Sequence, residues 1–105
     1  MSKFTPGGWF VAEHNWNAAS VYTKEKTVCL LSISEEEATE ENQSDLSVEM
    51  LANARLIAAA PQMLEALERL RGWVVAEAEQ FGAVLPDDDI MEQATAAIRA
   101  AKGEA

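Results

Sequence analysis

Apolar and polar residues alternate with two different periods along this chain, and the change of period divides it into a strand part and a helical part. Residues 9–13 (Trp9-Phe10-Val11-Ala12-Glu13), 19–23 and 27–33 are short runs rich in aromatic and β-branched side chains, the composition of strands. His14-Asn15-Trp16-Asn17 and Lys24-Glu25-Lys26 separate them, and both segments carry turn chemistry. Three runs so close together predict an antiparallel meander. A sheet this small is marginal in water and needs a cover.

The cover is legible further along. Leu56, Ala60, Met63, Leu67 and Leu70 recur at steps of four and three, the spacing of one helix face. Pro61 falls inside that pattern, where it removes a donor and crowds the preceding turn. The reading is a first helix over residues 47–59 and a second over 61–81, either separate or kinked at the proline. Ser47 is placed to cap the first, with Leu46 and Leu51 as a hydrophobic staple and Glu49 in the first turn. In the second, Met63, Leu67, Leu70, Val74 and Phe81 form the expected inner stripe, with the Glu65 and Arg69 pair outside and Glu68 on the solvated face. Trp73 lies off that stripe, placed to meet a neighbouring helix or a second subunit. Gly82 has the character of a helix end, and residues 84–86 read as a linker. Asp89 and Glu92 match a capping box opening a third helix with an alanine-rich face at Ile90, Ala94, Ala97, Ile98 and Ala101, closed by Gly103. The fold class is therefore α+β: a three-stranded antiparallel sheet covered on one face by about three helices, in ββααα order with an N-terminal meander. A chain of 105 residues suits one domain, with the meander over 5–34, an acidic loop over 35–46 and the helical part over 47–102.

One stretch carries more than periodicity. Asn53-Ala54-Arg55-Leu56-Ile57-Ala58-Ala59-Ala60-Pro61 runs into a Leu/Glu helix, and Thr5-Pro6-Gly7-Gly8-Trp9 stands near the start. Together they resemble small uncharacterised proteins of tailed phages and prophages, which often begin Thr-Pro-Gly-Pro-Trp. Here a glycine replaces the second proline. The resemblance covers roughly residues 5–70 and implies a viral or mobile-element origin without a single associated activity.

Charge changes the picture most. The chain has 18 acidic and 8 basic side chains, a net charge of −10. Residues 35–49 alone hold seven carboxylates and no base. A field of that sign disfavours direct nucleic-acid binding and steers the protein towards basic surfaces. The lone Cys29 excludes an intramolecular disulfide and lies in an apolar run. The chain shows neither a signal-peptide pattern nor an apolar stretch long enough to span a membrane, so a cytoplasmic protein without membrane contact is expected.

Candidate chemistry is sparse. His14 is the sole histidine, with no partner for a metal pair and no assigned nucleophile. Gly7-Gly8 makes no phosphate loop, and Asp87-Asp88-Asp89 lacks the ligand spacing of an EF-hand. The expectation is no enzyme, no cofactor and no metal. The favoured reading is an interaction protein that binds and inhibits a host protein, such as a nucleic-acid-handling defence complex. Anti-CRISPR proteins are similar in size and acidity. Glu35, Glu36, Glu37, Glu40 and Glu41 would form the carboxylate patch, with Trp16 as an aromatic contact. The alternative is an oligomeric module that sequesters a small anion such as a signalling nucleotide, using Trp9, Arg55, Arg69 and Arg71. For so small a core, a homodimer is a reasonable default.

Overall fold

The computed structural model describes residues 4–82 and 88–104. Three strands and two helices follow one another: β1 (Phe10–Asn15), β2 (Ala18–Tyr22), β3 (Thr27–Ser32), α1 (Gln43–Phe81) and α2 (Asp88–Lys102). The class is α+β with the expected three-stranded antiparallel sheet, but the order is βββαα, with two helices in place of three. The expected first and second helices are one. Pro61 lies inside α1, forfeiting the bond its nitrogen would give to the Ile57 carbonyl. Ala58, Ala59 and Ala60, the strongest helix formers and poor caps, carry the helix across that gap. The linker expected at 84–86, and Asp87 with it, lie outside the described residues.

The chain divides into two compact units, Thr5–Ala60 and Pro61–Ala105, the second taking in Phe4 as well. In the first, β2 is the central strand and pairs antiparallel with β1 and β3. The register places Val11 beside Val21 and Cys29, and Glu13 beside Ala19 and Leu31. Residues paired across strands share a face. Ala19 and Val21 on this face are fully buried, as is Ala54 of α1, with Met50 almost so. The other face carries Phe10, Tyr22 and Leu30. Phe10 and Tyr22 form a tilted ring pair with centroids 5.7 Å apart, and Leu30 is 76% exposed. Thr23 tightens the β2–β3 turn: its hydroxyl accepts from the amides of Glu25 and Lys26, each at 3.2 Å.

The second unit is a pair of helices. The Arg71 Nε donates to Thr95 Oγ1 at 2.8 Å, and Lys102 Nζ meets Glu68 Oε2 at 3.2 Å. These contacts run in opposite directions along the two segments, so the helices are antiparallel. They also fix the inner faces. Half-buried Leu64, Glu68, Arg71 and Val75 of α1 face half-buried Met91, Thr95, Ile98 and Lys102 of α2. The helix phase thus departs from the expected one. Met63, Leu70 and Phe81 of the anticipated inner stripe are exposed, Leu67 and Val74 of it are half-buried, and Glu68, expected in solvent, is an inner contact. Gly82 and Gly103 both take positive φ, 67° and 74°. At Gly103 the amide of Gly103 donates to Ala100 and that of Glu104 to Arg99, the double closure of a Schellman end.

Candidate functional site

The acidic segment before α1 is held in place by its own side chains. The amide of Thr39 donates to Asn42 Oδ1 at 2.6 Å, and the Asn42 amide donates back to Thr39 Oγ1 at 3.2 Å. This is the reciprocal logic of a capping box. Asn42 Nδ2 also donates to the Glu37 carbonyl at 3.1 Å, while the Glu37 and Ala38 amides both donate to Ser34. The Gln43 amide donates to the Thr39 carbonyl at 2.9 Å, so the helix begins from this clasp and not from Ser47. The signal was in the sequence as Thr39-x-x-Asn42. Asn42 stands where a capping box ordinarily has Glu or Gln, and the staple at Leu46 and Leu51 points to a later start.

Five carboxylates ride on that clasp. Glu35, Glu36, Glu37, Glu40 and Glu41 are all exposed. Asp45 adds a carboxylate to the first turn of α1, where the helix dipole is positive and favours it. Segment 35–41 is therefore solvated as expected, yet its backbone is tied at several points.

Trp16 approaches from the sheet. It sits in the two-residue turn between β1 and β2, where the Asn17 amide donates to Asn15 Oδ1 at 3.0 Å and the Ile33 amide donates to the Asn17 carbonyl at 2.9 Å. The first contact fixes the local bend and the second ties the turn to the end of β3. Trp16 is 36% exposed. It lines an open groove of about 580 Å³ with Glu40, Gln43, Ser44, Ser47 and Val48. Of the residues expected at a partner surface, Trp16 and Glu40 share this groove, with Glu35, Glu36, Glu37 and Glu41 on the same clasped segment. Val48, 64% exposed, adds an apolar wall that composition alone did not single out.

The residues of the alternative anion site are divided between the two units. Trp9 and Arg55 belong to Thr5–Ala60, and Arg69 and Arg71 to Pro61–Ala105. The Trp9 indole donates to the Thr5 carbonyl at 2.9 Å, closing the Thr5-Pro6-Gly7-Gly8-Trp9 segment around Gly7, whose φ is +96°. Arg71 is engaged by Thr95, and Arg55 and Arg69 are exposed.

His14 has one partner that the sequence did not suggest. Its Nε2 shares a 3.0 Å hydrogen bond with Ser20 Oγ. Ser20 is only 5% exposed, so the pair satisfies a buried hydroxyl. Ser20 pairs with Ala12, so His14, two residues further along β1, is its diagonal neighbour. Among the described residues, no group of three or more metal-binding side chains converges, and no helix is long and apolar enough to cross a membrane.

A family model described as Salmonella phage P22 protein Y8K6 matches residues 1–105. No curated protein and no solved structure matches the chain. The match spans the whole sequence, and the chain belongs to this phage protein family.

Proposed function

We propose that this member of a phage protein family acts by occupancy, binding and inhibiting a host protein through a lysine- or arginine-rich surface of the kind that holds nucleic acid. The observation that carries the reading is the groove in which exposed Trp16 meets Glu40, at the head of α1 and beside the clasped acidic segment. Carboxylates of one sign steer a basic partner and raise its association rate. An aromatic ring walled by Val48 supplies the desolvated centre that most often dominates interface energy. The hydrogen-bonded clasp matters because a segment already fixed loses less entropy on binding. Each element of the groove therefore has a separate role: charge for encounter, Trp16 for retention, Asn42 for order.

Affinity capture from host lysate, followed by binding kinetics with the captured partner, tests this. The partner is expected to associate more slowly with the combined Glu35→Gln, Glu36→Gln, Glu37→Gln variant, and to dissociate faster from Trp16→Ala. Association should slow as salt rises, because exposed charges act over roughly 10 Å at 0.1 M salt. An association rate indifferent to salt would sink the electrostatic reading.

A further inference from the structure

One side of the helical pair is rich in apolar residues. At about 100° per residue, the inner contacts of α1 (Leu64, Glu68, Arg71, Val75) and its second stripe (Met63, Leu67, Leu70, Val74, Phe81) are centred roughly a quarter-turn apart. On α2 the same quarter-turn separates Met91, Thr95, Ile98 and Lys102 from Ile90, Ala94, Ala97 and Ala101. Because the helices are antiparallel and both right-handed, the two rotations have opposite sense when seen along one axis. Both second stripes therefore point to the same side of the pair. Met63 is 53% exposed, Leu70 58%, Phe81 67% and Ile90 58%. Trp73, 61% exposed, stands at the flank of that side.

We infer that this side docks against the same side of a second copy, giving a two-fold four-helix dimer. The size of the patch is the first reason. A whole aromatic side chain buries 150–250 Å², so Phe81 and Trp73 each leave on the order of 100–150 Å² in water. With Met63, Leu70, Ile90 and the alanines, the side reaches the several-hundred-Å² class that marks interaction surfaces. That approaches the ~800 Å² per partner of a standard interface. Charge is the second reason. In a chain of net charge −10, Glu77 is the one carboxylate on the α1 stripe, so two like-charged copies meet here with little repulsion. A basic partner finds only Glu77 on the α1 stripe to attract it. Geometry is the third reason. Two antiparallel helices can bury one face between them, and a second pair is what completes a bundle core around Leu67 and Val74. A two-fold contact uses one patch on both copies, and alanine-rich α2 permits close approach.

Sedimentation velocity on the intact protein, from low to high micromolar, tests the dimer. Wild type is expected at twice the chain mass. Leu70→Glu and, on α2, Ala97→Glu each place a charge at a position exposed in the single chain. Both are expected to run at the single-chain mass with helical circular dichroism retained. Using both helices guards against one variant failing to fold. A wild type at any mass other than two chains overturns the inference. So does a dimer that both variants leave intact.

Discussion

Among the described residues, every one that is buried belongs to the Thr5–Ala60 unit: Ala19, Ser20, Val21, Thr23, Met50 and Ala54. The described residues of the Pro61–Ala105 unit are half-buried at best. The first unit pairs a sheet with a helix and closes a small core of its own. The second has two helices joined by one hydrogen bond and one ion pair that the contacts identify, over an inner face that includes Glu68, Arg71 and Lys102. A helix pair can bury only one stripe per helix, and here that stripe is partly polar. The lesson is that elements of equal regularity can differ widely in what holds them. Three of the five residues of the helical unit's richest apolar stripe, Met63, Leu70 and Phe81, are still in water.

The sharpest way to break this contrast is to attack the closed core. Val21 is fully buried on the central strand, so Val21→Asp places a carboxylate where nothing can pair with it, at a cost of several kcal/mol. That is a large share of the stability expected of a domain this small. Loss of the folded signal in thermal melts is the expected outcome; a melting temperature near wild type would mean the sheet is not the stability centre.

Substituting the junction residue sharpens the contrast from the other side. The unit boundary falls between Ala60 and Pro61, within a single helix. Pro61→Ala restores a donor to the Ile57 carbonyl, and the propensity difference between the two residues is about 3 kcal/mol in a helix interior. A gain of about 1–3 kcal/mol with the fold intact is expected. Far-ultraviolet and tryptophan-fluorescence melts should move closer together. A drop in melting temperature would show that the proline fixes a bend on which the fold depends.

How much of this was legible in the sequence follows from where each signal comes from. The strands were readable because Val11, Val21 and Val28 sit in short β-rich runs cut by polar turns, and those signals are local. The continuous helix was not, because Pro61 is a strong local breaker and the alanines that overcome it are individually weak. The stripe through Met63, Leu67 and Leu70 was legible as a stripe. Its partner was not, since periodicity reports which face is most apolar and cannot say what covers it. Trp16 and Glu40 were each legible as candidates, but their meeting depends on a turn and a helix start separated in sequence. The His14–Ser20 contact depends on the register of β1 against β2, which a local run of residues does not report.

Within the helical unit, Thr95→Val separates the two contacts between the helices. Valine keeps the volume and removes the hydroxyl that accepts from Arg71 Nε at 2.8 Å. Hydrogen bonds to charged groups contribute about 1.5–3 kcal/mol. Arg71 is only half-buried and can recover a partner from water, so a loss of about 1 kcal/mol is expected. Denaturant midpoints read this directly. No change in midpoint would mean that apolar contact alone sets the pairing of α1 and α2.

The smallest effect is also the one that discriminates between two phases of α1. Glu68 meets Lys102 Nζ at 3.2 Å, with the two side chains 37% and 40% exposed. A pair that open is screened by solvent and ordered at an entropic cost, so Glu68→Ala should lose about half a kcal/mol or less. Magnitude alone would therefore look like any surface substitution, and the diagnostic is coupling. If Glu68 faces α2, the effect of Glu68→Ala disappears when Lys102 is already alanine, and it shrinks as salt is raised. If Glu68 instead faced solvent with Leu70 inside, the two alanine substitutions would add, with no interaction between them. A double-mutant cycle at low and high salt measures that difference. Additivity at both would reverse the helix phase, and with it the exposed stripe through Met63, Leu70 and Phe81.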